Sequence, residues 1–174
     1  MQSYSRKSIV RTLLEQLAAE RRHVASDWRA MILLQRVWRA MPDEERERFR
    51  APSTTGEARV LLNRMTSHGD LEPIEGLLGI YKVTVPYADT GAVGELEVLM
   101  EVHPCVAASH HTALAFHRLT DDQPKSIHAI VPVGQTPQYP PPGTSAEEWE
   151  GLRRAPARYP DAILGRPVRW HRVK

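Results

Sequence analysis

The segment 54–87 constrains the fold of this chain more than any other, because a capped helix and two short strands follow one another directly. Thr54 and Glu57 have the spacing of a capping box, in which a hydroxyl and a carboxylate satisfy the first backbone amides of a helix. The predicted strands, 71–75 and 80–85, flank a turn with two glycines. Apolar residues recur at helical spacing on the face expected to pack against a core: Ala58, Leu61, Leu62 and Met65.

A helix followed by a small hairpin is the second half of a winged helix-turn-helix, whose helix lies in the DNA major groove. The sequence therefore predicts an α+β protein that begins with a DNA-binding domain over residues 1–88. Base edges suit Arg, which pairs with guanine, Asn, which pairs with adenine, and Thr, which offers a hydroxyl and a methyl group. The face opposite the apolar one carries these types: Arg59, Asn63 and Thr66, with Arg64 and Ser67 at its margin.

Charge is distributed unevenly along the chain, although the net charge is only +2. Residues 1–69 contain 13 Lys and Arg against 8 Asp and Glu (+5), residues 88–152 contain 2 against 9 (−7), and residues 153–174 contain 7 against 1 (+6). A basic N-terminal part attracts DNA through phosphate contacts, although charge runs are also common on faces that contact only solvent. The predicted phosphate contacts are Arg46, Arg48, Arg50, His68 and Lys82.

Further helices are predicted before the capped helix, and a small α/β domain is predicted over residues 89–174. Upstream lie an amphipathic helix at 8–22, a second helix capped by Ser26 or Asp27, and a helical turn at 43–49. Downstream the predicted elements are a helix at 95–101, a strand at 105–108, a helix at 109–117, a strand at 126–133, a Pro-rich loop at 134–144, a short helix from 145 and a strand at 168–173. Because the chain stops on a strand, truncation of this domain at its C-terminus stays open.

The segment 109–132 carries a recurring pattern of a helix that starts at a serine, a His-x-Leu-Thr sequence, a polar stretch with proline and a strand that ends near proline. The residues of this pattern are Ser109, Thr112-Ala113-Leu114, His117, Leu119-Thr120, Pro124 and Ile127–Pro132. In this pattern the segment resembles the AbiEi family of antitoxins from type IV toxin–antitoxin systems, and 76–88 resembles the strand that closes the winged helix of that family. The resemblance implies an N-terminal DNA-binding domain, repression of the protein's own operon and action against a nucleotidyltransferase-like toxin, often in phage defence.

Two features depart from the family pattern. The segment 43–49 lengthens the chain before the predicted recognition helix, so this part need not superpose closely on the family. The hairpin turn carries Leu77 and Leu78 at positions where basic residues would contact phosphate, which argues against contact between the wing and DNA.

Histidines are concentrated in the segment 103–128, but their spacing does not favour a metal site. Zinc needs three or four converging ligands, whereas His110 and His111 are adjacent and only His110 and His117 share a helix face. Packing or capping is the preferred interpretation, with a structural role for His117, and no metal or cofactor is predicted. The residues considered are His103, Cys105, His110, His111, His117 and His128.

No hydrolase motif, P-loop or His-Glu-x-x-His sequence is present, so an enzyme is not predicted. Asp121 and Asp122, followed by Lys125, weakly match a nuclease pattern and are interpreted as loop residues. Cys105 is the single cysteine, which excludes an internal disulfide. No apolar run approaches the roughly 18 residues of a membrane helix, and a cytoplasmic protein is expected.

The sequence thus predicts an antitoxin that is also a DNA-binding repressor of its own operon, with operator DNA and a cognate toxin as partners. One open alternative is a winged-helix transcription factor whose C-terminal half senses a ligand or dimerises. The other is a metal-dependent nuclease that uses Asp121 and Asp122. The oligomeric state and the operator sequence do not follow from these patterns.

Overall fold

A computed structural model describes residues 6–47, 50–84, 92–133, 140–153 and 157–173. These residues form six α-helices, one short 3-10 helix and two small sheets, which confirms the predicted α+β class. Arg48, the predicted domain boundary at residue 88 and the first part of the Pro-rich loop lie outside the described residues. No helix within these ranges is long and apolar enough to cross a membrane.

The N-terminal half combines four helices with a three-stranded antiparallel sheet. Its elements are α1 (Arg6–Ala19), β1 (Val24–Ser26), α2 (Asp27–Ala40), α3 (Asp43–Arg46), α4 (Thr55–Ser67), β2 (Leu71–Pro73) and β3 (Ile80–Val83). Strand β3 lies between β1 and β2 and pairs with both in antiparallel register. The pairing of β2 with β3 confirms the predicted hairpin, although β2 ends two residues earlier than expected.

Side-chain caps fix the starts of α2 and α4: Thr54 is the cap predicted for α4, and Ser26 is one of the two residues predicted as the cap of α2. The Ser26 hydroxyl accepts a hydrogen bond from the Arg29 amide at 3.1 Å, and Thr54 Oγ1 accepts from the Glu57 amide at 3.2 Å. The Glu57 carboxylate accepts from the Ser53 amide at 2.8 Å, one residue before the position a capping box would use. This bond lowers the pKa of Glu57.

A first core forms where α4 and α1 pack against α2. The predicted apolar face of α4 points inward, with only Leu61 left partly buried. Burial of such side chains from water is the main favourable term in forming the helical layer. The buried residues that the three helices contribute include Leu13, Leu17, Met31, Leu34, Ala58, Leu62 and Met65.

The C-terminal half contains a four-stranded mixed sheet with the order β4-β5-β7-β6. Its elements are α5 (Glu95–Val102), β4 (Ala107–Ala108), α6 (His110–Phe116), β5 (Ile127–Pro132), the 3-10 helix Glu147–Trp149, β6 (Ala162–Ile163) and β7 (Arg166–Val173). Strands β5 and β7 run parallel, whereas β4 and β6 pair antiparallel with their neighbours. Strand β7 begins two residues before the predicted 168, and β6 was not predicted.

Two details of the C-terminal half differ from the prediction. The sequence places Ala113, Leu114 and His117 on one face of this helix, but the residue of α6 that is buried is Thr112, and His117 is exposed. The hydroxyl of Thr112 accepts from the His128 amide at 2.8 Å, which draws this side of the helix onto β5. The predicted strand 105–108 is limited to its last two residues, and Ala107 is exposed.

A second core joins the two halves of the chain. It combines residues of β1, β3 and the β2–β3 turn with residues of α5, β5 and β6. The Leu77 side chain of that turn is buried here and does not extend into solvent. The members from the N-terminal half are Val24, Leu77 and Ile80, and those from the C-terminal half include Val98, Leu99, Val102, Ile127, Val131 and Ile163.

A buried carboxylate also links the halves. Glu101 of α5 is fully buried and accepts from Arg29 Nη2 at 2.9 Å and from the Ser26 hydroxyl at 2.5 Å. Its backbone carbonyl accepts from the Trp28 indole at 2.7 Å. A charge removed from water requires such partners, because an unpaired buried carboxylate is strongly destabilising. The start of α2 is therefore tied to α5 by polar as well as apolar contacts.

Candidate functional site

Helix α4 presents an exposed face opposite the one that packs on α2. The side chain of Val60 is 54% exposed. The predicted residues Asn63, Arg64, Ser67 and His68 are also exposed, and Thr66 is partly buried. Most of the residues that the sequence assigns to base contact therefore do reach the surface of one helix. The exception is Arg59.

The guanidinium of Arg59 is partly buried and pairs with a fully buried carboxylate. Its Nε and Nη2 atoms donate to Oδ2 of Asp27 at 3.1 and 2.7 Å. Asp27 is fully buried at the start of α2, and Arg158 donates to the same carboxylate at 2.6 Å. Two guanidinium groups thus hold one buried carboxylate, and Arg59 anchors α4 to α2 through it. Contact between Arg59 and a base would require this ion pair to open.

Asn63 is anchored by a neighbouring strand. Its Oδ1 accepts from the Tyr81 hydroxyl at 2.6 Å, and its backbone carbonyl accepts from the Thr66 hydroxyl at 2.7 Å. An amide oxygen has two lone pairs and an amide nitrogen has two N–H donors. Tyr81 uses only one lone pair, so the Asn63 side chain is held in place and can still form further hydrogen bonds. Burial and the nearby Asp27 charge raise the pKa of Tyr81, which keeps the hydroxyl protonated as the donor.

The predicted phosphate contacts occupy different environments. Arg50 is exposed before α4, and His68 is exposed at its C-terminal end. Arg46 is less free, because it pairs with Asp43 at 2.8 Å and donates to the Met41 carbonyl at 2.9 Å. Lys82 is partly buried on the central strand β3. Arg48 lies outside the described residues, so the structure places four of these five residues.

Three histidines converge beside the paired strands β5 and β7, a grouping that sequence analysis missed. His110 starts α6, His128 lies on β5 and His171 lies on β7. Their ring centres are 4.6 to 5.5 Å apart. The spacing analysis was confined to residues 103–128 and therefore omitted His171. The sequence does show a histidine in each of two segments with strand-like alternation. These histidines can be predicted to be neighbours only when β5 and β7 are known to pair.

The other residues considered for metal binding or catalysis do not join this group. His103 is buried beside Tyr159, and its ring centre lies 5.2 Å from the tyrosine ring centre. His117 is exposed, with its ring edge-on to Phe116. Asp121 and Asp122 are exposed between α6 and β5. In the described part of the chain, the three converging histidines are the one group of three or more potential ligands that lie close together.

Comparison with known proteins does not assign the chain to a family. No protein-family model matches the sequence, and a search of the curated proteins also finds no match. The AbiEi resemblance of the segment 109–132 therefore stays a prediction.

Proposed function

We propose that this chain is a DNA-binding regulator that uses the exposed face of α4 as the recognition helix of a winged helix-turn-helix. The observation that carries the proposal is the arrangement around α4. This helix packs on α2, the hairpin β2–β3 follows it, and β1 completes the sheet in the order β1-β3-β2. A helix supported in this way, with polar side chains on its free face, is suited to the major groove.

Asn63 and Arg64 are the proposed base-contacting residues. Both are exposed on α4, and the hydrogen bond from Tyr81 preorients the Asn63 amide. Arg64 carries its guanidinium on the same exposed side, where bidentate pairing with guanine is the commonest specific contact of this residue type. Arg59 is instead proposed to hold α4 in place through Asp27, so its contribution to DNA binding is mainly indirect.

The tip of the hairpin is not part of the proposed interface. Leu77 is buried in the core shared with α5, and Leu78 is 67% exposed without charge. Phosphate contacts are proposed instead for Arg50 and His68, which flank α4 at its two ends. Such contacts position a protein on DNA but do not select the sequence.

The biological role proposed for this regulator is that of a cytoplasmic antitoxin which represses its own operon. The support is the resemblance of 109–132 to the AbiEi family, which implies action against a nucleotidyltransferase-like toxin. The pattern residues lie on α6, on the segment after it and on β5, away from α4 along the chain. DNA binding and toxin neutralisation are therefore proposed to use different surfaces.

A gel-shift experiment tests the DNA proposal. The purified protein is titrated on DNA from upstream of its own gene and on scrambled DNA of equal length, at two salt concentrations. We expect specific binding that Asn63→Ala and Arg64→Ala each weaken by about 1–3 kcal/mol, the usual worth of a base contact. Arg50→Ala should weaken binding to both DNAs alike and reduce the salt dependence.

Arg11→Ala is the matched control, because Arg11 is an exposed arginine on α1. It should leave specific binding unchanged. Equal binding to both DNAs, or no effect of Asn63→Ala and Arg64→Ala, would contradict the proposed recognition helix. Arg59→Ala is measured in parallel for thermal unfolding, since a loss of DNA binding that follows a loss of stability would support the anchoring role.

Co-expression with the product of the neighbouring gene tests the antitoxin role separately. Growth rescue by the wild-type protein and by Arg64→Ala would support neutralisation that is independent of DNA binding. DNA binding without rescue would favour the alternative, a transcription factor with a ligand-sensing or dimerising C-terminal half.

A further inference from the structure

His110, His128 and His171 come from three separate elements, yet their side chains meet at one point. One ring nitrogen of each lies within 4.8 Å of a ring nitrogen of the other two. His110 reaches this point from a backbone with φ of +49°, a left-handed conformation uncommon for residues other than glycine. Strained backbone of this kind clusters at binding and active sites.

The ring-centre separations and the nitrogen–nitrogen distance between His128 and His171 are close to those that one tetrahedral ion imposes. Zn–N bonds of about 2.0–2.1 Å place two ligating nitrogens about 3.3 Å apart and the ring centres about 5 Å apart. In the structure, His128 Nδ1 and His171 Nε2 are 3.1 Å apart. The ring centres are separated by 4.6 Å for His110 and His171, 5.3 Å for His128 and His171, and 5.5 Å for His110 and His128.

Hydroxyl groups orient two of the three rings from behind. Ser109 Oγ lies 2.9 Å from His110 Nδ1, and Ser126 Oγ lies 3.3 Å from His128 Nε2. When each of these ring nitrogens carries the proton and donates to its serine, the other nitrogen of the ring is left as a lone-pair donor. Outer hydrogen bonds of this type fix the tautomer and orientation of metal-ligating histidines.

We propose that His110, His128 and His171 bind one zinc ion, with the fourth coordination position open to water or another small ligand. Three histidines with one open position is an established zinc arrangement, and imidazole nitrogen is a ligand type that suits this ion. The ion would connect the start of α6 with β5 and β7. Metal entry replaces the His128–His171 hydrogen bond. His171 then binds the ion through Nε2 and carries its single proton on Nδ1, so the neutral ring changes tautomer without a net loss of a proton.

Zinc competition against a chromophoric chelator tests this site on the full-length, tag-free protein. We expect one zinc per chain. Ser126→Ala removes an outer hydrogen bond and should lower the zinc affinity about 10–100-fold. His171→Ala removes a ligand and should lower the zinc affinity by a larger factor. The matched control is His111→Ala, which removes an exposed histidine next to His110 on the same helix and should leave the affinity unchanged.

Cobalt(II) provides a readout of geometry. The wild-type protein should give the intense visible absorption of a tetrahedral site, and His171→Ala should lose it. Circular dichroism of the metal-free proteins shows whether His171→Ala folds. If it does not fold, His110→Ala, at the exposed start of α6, takes its place in both experiments. Absence of stoichiometric zinc binding, an octahedral cobalt spectrum, or equal losses in His171→Ala and His111→Ala would overturn the proposal.

Discussion

Gly79 lies against the buried Asp27 carboxylate and shows how one residue can determine the position of a hairpin. Its φ is +74°, and a Cβ at this position would lie 2.4 Å from Oδ2 of Asp27. Its carbonyl also accepts from the Asp27 amide at 2.9 Å. We expect Gly79→Ala to lower the free energy of unfolding by more than the roughly 1–2 kcal/mol of a left-handed backbone alone. The additional loss arises because the methyl group displaces the carboxylate.

Urea unfolding of Gly79→Ala beside Gly76→Ala measures this difference. Gly76 has a φ of +73°, but a Cβ there would meet nothing within 4 Å. Gly76→Ala therefore isolates the backbone cost. Equal losses in the two variants would mean that close approach to Asp27 does not constrain Gly79.

His103 is expected to make stability fall in mild acid. It is 6% exposed, and burial lowers its pKa. Its Nδ1 accepts from the Cys105 amide at 3.2 Å, a bond that protonation of this nitrogen removes. Since the unfolded chain has the ordinary pKa of about 6.5, it binds the proton more readily than the folded protein. Stability is therefore complete above about pH 6.5 and is lost as the pH falls through the folded pKa.

Asparagine at this position retains an acceptor without titrating. His103→Asn should therefore flatten the decline in unfolding free energy between about pH 7 and pH 5. His117→Asn is the control, because His117 is exposed. A decline of the same slope in His103→Asn and in the wild-type protein would assign the acid sensitivity to other groups.

Single residues were predictable from the sequence where their partners are local. Ser26 and Thr54 cap helices through amides three residues ahead; the sequence pattern identified Thr54 and gave Ser26 and Asp27 as alternatives for the other cap. The partner of Arg59 was not predictable, because Asp27 is 32 positions away and becomes a neighbour only when α2 and α4 pack. Exposure of the helix face was predictable because it follows from local helical periodicity. The anchoring of Arg59 was not, because it depends on how two helices pack.

At the scale of elements, α4 depends on its N-terminal cap. Thr54→Ala removes the acceptor for the Glu57 amide and should lower the free energy of unfolding by about 1 kcal/mol. Thr55→Ala removes a hydroxyl at the first helical residue and serves as the control. Urea denaturation compares the two. A larger loss in Thr55→Ala would contradict the assigned cap.

Helices and the hairpin were predictable because periodicity and turn residues are local signals. The short strands β1 and β6, of three and two residues, carry no periodicity of their own. Strand β7 shows alternation, but its parallel pairing with β5 joins residues about 40 positions apart. The histidine cluster depends on that pairing, which is why its third member escaped a search by spacing.

At the scale of the whole molecule, the second core and the contacts of Glu101 join residues on both sides of the predicted domain boundary at residue 88. Val24 and Ile80 pack with residues of α5 and β5, while Arg158 from the C-terminal half contacts Asp27 beside Arg59. The recognition helix proposed for DNA is thus connected to the C-terminal half through α2. Charge balance along the sequence suggested two separate parts, but it contains no information about these contacts.

Because these contacts span both halves, we expect the protein to unfold in a single cooperative transition. Tryptophan fluorescence and far-ultraviolet circular dichroism should then give coincident urea curves, the usual test of two-state behaviour. Trp28 lies on α2 beside Trp149 of the 3-10 helix, and Trp170 lies on β7. Tryptophan fluorescence therefore reports on both halves of the chain. Two separated transitions would instead show that residues 1–88 and 89–174 unfold independently.

Glu101→Gln tests the polar part of this connection. The substitution keeps the shape of the side chain but removes the charge that pairs with Arg29, whose side chain is 3% exposed. Loss of one partner from a buried ion pair costs about 3–5 kcal/mol, so both spectroscopic transitions should move together to lower urea. Glu15→Gln removes an exposed pair with Arg11 and should cost about 0.5 kcal/mol or less. If Glu101→Gln shifted only one signal, the carboxylate would stabilise one half without coupling it to the other.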